Sequence, residues 1–178
     1  MSASQTTRSG SLTIPGRSLV LLVGPSGSGK STFARKNFSP LQIIESDHCR
    51  ALVCDDEKDQ SATRAAFDLL HFLADKRLGF GRLTVIDATN VEAQARRSLL
   101  ALARDHHFPS IAIVFDVGEE AALEQNSRRR NRQVDAGVIR RQCQDLQSSR
   151  KALSREGFSR IHVLKSPEQA AAATVVFG

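Results

Sequence analysis

The chain has 178 residues, 40% of them hydrophobic and 25% charged, with a formal net charge of +6. That balance is ordinary for a soluble globular protein and excludes a disordered, collagen-like or coiled-coil chain. The longest apolar run, Leu19–Val23, falls far short of the ~20 residues a membrane span needs, and no apolar stretch follows the N-terminal basic residue as in a signal peptide. Cys49, Cys54 and Cys143 form an odd, sparse set that fits a reducing compartment, so a cytoplasmic protein is expected.

Residues 1–10 read as a loose Ser/Thr-rich tail. Ser11–Ile14 reads as a short edge strand, ended by Pro15-Gly16. Ser18–Val23 is continuously apolar, as strands buried on both faces of a parallel sheet are. A Gly/Ser loop, Gly24–Lys30, follows, and Ser31–Asn37 opens a helix. Leu41–Ile44 is a second strand, ending in Glu45-Ser46-Asp47. In Asp59–Arg77, residues Ala66, Leu69, Leu70 and Leu73 recur at helical spacing. Strands at Leu83–Ile86, Ile111–Phe115 and Ile161–Leu164 alternate with helices over Val91–His107, from about Glu119, over Val134–Ser154 and over Pro167–Ala173. This alternation predicts an α/β sandwich around a mainly parallel five-stranded sheet, in one domain over 1–178.

Gly24-Pro25-Ser26-Gly27-Ser28-Gly29-Lys30-Ser31 fits GxxxxGK[ST] in full, between a buried strand and a helix. The glycines permit positive φ, so successive N–H groups curl around a phosphate, and the helix dipole adds to them. Lys30 then reaches the β- and γ-phosphates and the Ser31 hydroxyl is placed to ligate Mg²⁺. Gly24, Ser26, Gly27, Ser28, Gly29, Lys30, Ser31 and Thr32 are therefore the candidate nucleotide-binding residues. No N/T-K-x-D guanine motif and no LSGGQ-like signature accompany the loop. Small kinases that transfer the γ-phosphate of ATP remain. They also need a base near the acceptor hydroxyl and cations on the transferring group.

Two acids end strands where open α/β sheets bind ligands, Asp47 and Asp87. Asp47 reads as the general base or as a helix N-cap. Arg50, one helical turn on, is placed to hold an acceptor phosphate. Asp87 reads as a Walker-B acid in the metal's outer shell or as a cap of the next helix. Asp55-Asp56-Glu57 is either a solvated turn or an orienting element for Arg50. A basic run, Arg128, Arg129, Arg130, Arg132, Arg140 and Arg141 against Asp135 alone, holds most of the charge excess. It is a clamp for anions or a solvated helix end.

Four stretches, GPSGSGKSTFARK, SDHCRALVCDDEKDQ, LTVIDATNV and NRQVDAGVIRRQ, together resemble the kinase domain of bacterial polynucleotide kinase-phosphatase, an end-healing enzyme of RNA repair. The resemblance runs from about Leu19 to Val176. It implies a P-loop kinase-type three-layer sandwich with an Arg-rich helical lid over about 119–155. It also implies phosphorylation of 5′-OH RNA or DNA ends with Mg²⁺ and an NTP. Lys30 and Ser31 match the family's phosphate and metal residues, Asp47 its general base, Arg50 its acceptor-side arginine and Gln60 a residue near the acceptor. The family's lid pattern, R-N-x-x-R, matches Gln125-Asn126-Ser127-Arg128-Arg129. Arg129 and Arg132 are thus the expected clamp, while a neutral amide, Gln125, replaces the first arginine.

The chain stops where the kinase resemblance ends, so no phosphatase or ligase is expected within it; a separately encoded phosphatase or ligase is left open as a partner. The competing readings are a kinase of a small-molecule hydroxyl and a non-catalytic NTP-dependent nucleic-acid-binding protein. Gln125 is the sequence feature that favours the last. His71, within an apolar-periodic helix, reads as a packing residue.

Overall fold

The structure, a computed structural model, describes residues 10–129 and 133–178. Five strands, β2 (Leu19–Val23), β3 (Ile43–Glu45), β4 (Thr84–Asp87), β5 (Ser110–Phe115) and β6 (Arg160–Leu164), form one sheet in the order β3-β4-β2-β5-β6. Every pairing in it is parallel. From β2 the chain passes to the edge strand β3, returns to β4 beside β2, and then crosses to β5 and β6 on the other side. The loop after β2 therefore opens at the point where the strand order reverses, the crevice where such sheets bind ligands.

The helices are α1 (Lys30–Asn37), α2 (Ser46–Cys54), α3 (Thr63–Gly79), α4 (Ala93–Asp105), α5 (Glu119–Ser127), α6 (Ala136–Leu153) and α7 (Pro167–Ala172). Strand periodicity sorts the core into two layers. Leu19, Leu21 and Val23 of β2 pack with Leu70 of α3, Leu99 and Leu100 of α4, and Leu146 and Leu153 of α6. Val20 and Leu22 point the other way, onto Phe33 of α1, Ile139 of α6 and Ala170 of α7. The result is the three-layer P-loop kinase fold. Among the described residues no helix is long and apolar enough to cross a membrane.

One expected strand sits elsewhere. Ser11–Ile14, here β1, is not at an edge of the main sheet; it pairs in parallel with β7 (Thr174–Phe177) in a separate two-stranded sheet. β7 follows α7 after Ala173 and has no counterpart among the strands expected from sequence. Asn37 of α1 accepts from Val175 N (2.9 Å), which ties this small sheet to the helix behind the phosphate loop.

A buried cation braces the frame. Arg96 of α4 is fully enclosed, and its Nε and Nη2 donate to the two Glu156 carboxylate oxygens at 2.7 and 2.6 Å. Its Nη1 donates to the carbonyls of Asn90 (2.7 Å) and Val91 (2.8 Å). Ser149 Oγ of α6 donates to the same Val91 carbonyl (2.6 Å). Arg96 thus joins the segment after β4 to the end of α6. Removing one partner of a buried pair leaves a charge uncompensated and costs about 3–5 kcal/mol. Arg96→Ala is therefore expected to lose about that much in denaturant unfolding, and a loss below about 1 kcal/mol would show that the bridge braces nothing.

Candidate active site

The loop Gly24–Lys30 curls as its sequence requires. Gly27 (φ 82°) and Gly29 (φ 93°) hold left-handed conformations. A Cβ on Gly27 would stand 2.2 Å from the Ala122 carbonyl oxygen, so α5 packs directly on the loop and only glycine fits. Gly29 is the N-cap of α1, which aims its N-terminus into the loop. Lys30 is folded over the loop it will serve, donating from Nζ to the carbonyls of Gly24 and Pro25, each at 2.8 Å. Burial pushes the Lys30 ammonium down to about 8; Asp87 pulls it back up and Arg129 adds to the fall. Both residues therefore act electrostatically on Lys30.

One cleft of about 650 Å³ gathers Ser26, Lys30, Ser31, Asp47, Arg50, Gln60, Asp87 and Arg129 on its walls. Gly24, Gly27, Ser28 and Gly29 form the loop behind it, and Thr32 is exposed on α1. Arg132 lies outside the described residues. A second, more apolar cavity of about 350 Å³ flanks the loop at Pro25, between Phe115 and Leu146.

One wall of the cleft is α2. This helix starts at Ser46 with Glu45 in the N-cap position, so Asp47 sits inside the first turn and is not the cap. Its Oδ1 accepts from Arg50 Nη1 at 2.8 Å, an i,i+3 ion pair. Arg50 is 5% exposed, and its Nη1 also donates to the Glu57 carbonyl at 2.9 Å. The acidic run therefore orients Arg50 through main chain, not through a carboxylate. Arg50 Nε is buried with no hydrogen-bond partner among the described residues. Gln60, exposed at the rim, donates to the Lys58 carbonyl (3.2 Å).

Asp87 ends β4 in register with Glu45 of β3 and Leu22 of β2. It is 6% exposed and its Oδ2 has no hydrogen-bond partner among the described residues. The segment that carries it is pinned to the phosphate-loop strand: Gly24 N donates to the Thr89 carbonyl and Asn90 Nδ2 to the Leu22 carbonyl, both at 2.8 Å. Asn90 adopts φ 49° to do so.

Two residues given no role in the sequence reading organise the α5–α6 region, where a lid is expected from sequence. Asn126 donates from Nδ2 to the Val134 carbonyl (2.8 Å) and accepts from Val134 N (2.9 Å), which closes the stem between α5 and α6. It is the Asn of the Gln125-Asn126-Ser127-Arg128-Arg129 stretch, so the pattern held a signal for it. Gln142 of α6 accepts from Ser26 N at 2.8 Å, linking the far arm of the lid to the phosphate loop. Of the lid cations, Arg129 faces the cleft, whereas Arg128 pairs with Glu124 on the exposed side of α5. Gln125 lies against the loop, its Oε1 3.7 Å from where a Gly29 Cβ would stand.

A protein-family profile described as an AAA domain matches residues 19–153, and the chain belongs to that family. No curated protein matches it. Among solved structures, a chain of the Pnkp1/Rnl/Hen1 RNA repair complex is similar with a TM-score of 0.66 and 21% identity, over 85% of this chain and 49% of that one. This chain thus spans about half the length of that relative. A sugar kinase from Janibacter sp. HTCC2649 (TM-score 0.58, 20% identity) is matched over 86% of this chain and 89% of its own. Kti12 of Chaetomium thermophilum in complex with ADP-AlF3 (TM-score 0.59, 20% identity) is matched over 86% and 93%. Loop, family and fold together define a P-loop domain of the kind that binds a nucleotide, typically with Mg²⁺.

Proposed function

We propose that the protein is a polynucleotide 5′-hydroxyl kinase that transfers the γ-phosphate of an NTP to 5′-OH ends of RNA or DNA. The observation that carries this reading is the part of the cleft wall that α2 supplies. There Asp47 is held by a buried Arg50 whose Nε has no hydrogen-bond partner among the described residues. A base beside a guanidinium with one unmet N–H suits a hydroxyl that is followed by a phosphate. That is what a nucleic-acid 5′ end presents. A sugar presents a hydroxyl alone.

In this reading Lys30 and the loop amides bind the donor phosphates, and Arg129 offsets charge on the transferring group. Asp47 takes the acceptor proton, and Arg50 with Gln60 positions the strand. The Ser31 hydroxyl lines the cleft, and the orphaned Asp87 Oδ2 suits a metal-bound water, so these residues fit Mg²⁺. The ion, once bound, would neutralise charge on the donor phosphates. Arg132 belongs to the proposed clamp by sequence alone. The phosphorylated end is the substrate class that a ligation reaction consumes.

The test is label transfer from γ-labelled ATP with Mg²⁺ to a 5′-OH 20-mer of RNA or DNA, beside a panel of sugars and nucleosides. Label on the oligonucleotide is expected. Label on a sugar or nucleoside alone would replace this reading with a small-molecule kinase, towards which the sugar-kinase likeness points.

A further inference from the structure

We propose that Gln142 is the residue by which this cleft distinguishes a nucleoside triphosphate from a diphosphate, an inference that rests on the donor-site reading above. Gln142 stands on α6 one turn after Val138; it is half-buried, and both residues line the cleft. Its Oε1 accepts from Ser26 N at 2.8 Å, a contact that spans 116 residues of sequence.

Backbone N–H groups of such a loop are its anion-binding groups. One of them, Ser26 N–H, is thus turned into the cleft and satisfied by a neutral carboxamide. Which phosphate would claim it follows from the walls. Gly29, Lys30 and Ser31 stand at the N-terminus of α1 and suit the inner phosphates. Ser26 shares the cleft with Asp47 and Arg129, and the phosphoryl group in transfer must lie between the loop and Asp47. The terminal phosphate is therefore the group that meets Ser26 N–H and Gln142.

A carboxamide carries both an acceptor and two donors. When the terminal phosphate takes the Ser26 N–H, Gln142 turns and donates from Nε2 to the same phosphate. A diphosphate leaves Gln142 on Ser26. The exchange matters in this chain because Gln125, at the other arm of the lid, brings no charge of its own to the phosphates.

Titration calorimetry on the full chain with Mg²⁺ reads this directly, using ADP and the β,γ-imido analogue of ATP. Gln142→Met keeps the shape and loses the amide. It is expected to weaken the triphosphate about tenfold, the worth of one hydrogen bond to a charged group. Gln142→Glu sets a carboxylate against the phosphate and is expected to weaken it about a hundredfold. Both variants should hold ADP within about threefold of the parent, as removal of a contact made only to the terminal phosphate requires. Equal losses for both nucleotides, or none for the triphosphate, overturn the inference. A parent protein that binds neither nucleotide overturns the donor-site reading itself, a different result. Thermal melts identify a misfolded variant, and the half-buried Gln142→Met variant then carries the test alone.

Discussion

Asp47→Ala is expected to lower kcat for 5′-OH phosphorylation by about 10²–10⁴-fold, the range a positioned general base supplies, with little change in KM for the nucleotide. The argument is geometric. Asp47 lines the same cleft as Lys30 and Ser31, so an acceptor hydroxyl bound in that cleft has both base and phosphate within it. Alanine, however, also strips Arg50 of its carboxylate and leaves the buried guanidinium with only the Glu57 carbonyl. A loss in the alanine variant therefore mixes chemistry with misplacement of Arg50. Asp47→Asn separates the two. Its amide oxygen still accepts from Arg50, but it takes no proton. If Asp47 is the base, asparagine and alanine fall together in kcat. If Asp47 merely anchors Arg50, asparagine retains most of the activity, and the base must be sought elsewhere in the cleft.

The parts of this molecule legible in the sequence are those whose local composition decides their structure. β2 and β5 are unbroken apolar runs because both faces of a central parallel strand are covered, and their buried patterns match. The phosphate loop is legible because its glycines answer a backbone demand, seen at Gly27 and Gly29. β7 was illegible: Thr174–Phe177 is short and mostly exposed, and its partner β1 lies at the other end of the chain. The helix-cap reading of Asp47 failed by two residues, since α2 begins at Ser46 and puts Glu45 in that place. Arg96, Asn126 and Gln142 are ordinary polar residues on helices. Nothing near Arg96 or Gln142 announces a partner 60 or 116 positions away, because tertiary placement alone creates those contacts, whereas Asn126 is carried by the lid pattern itself. The acidic run before Gln60 shows a subtler gap. Its side chains drew attention, yet the Glu57 backbone holds Arg50.

The lid yields the second large effect. Arg129→Ala is expected to lower kcat by about 10³-fold, or about 4 kcal/mol of transition-state stabilisation, the scale of a positioned arginine in phosphoryl transfer. Arg128→Ala is expected to cost less than about twofold, because Arg128 is spent on Glu124 at the exposed side of α5, where an ion pair is worth little. The contrast between neighbours makes the test specific, since a diffuse basic surface would respond to either change alike. The complementary variant is Gln125→Arg. Gln125 already rests beside Gly29 of the phosphate loop, so a guanidinium there would reach the donor phosphates in the forked geometry an amide lacks. It should raise kcat/KM for ATP by about tenfold or more, and the gain should vanish in the Arg129→Ala background if the two arginines act as one clamp. Single-turnover rates of the four proteins, parent, each single variant and the double, decide the matter. If Arg129→Ala falls less than tenfold and Gln125→Arg gains nothing, this lid does not clamp the transferring phosphate, and Lys30 with the loop amides must carry that charge alone.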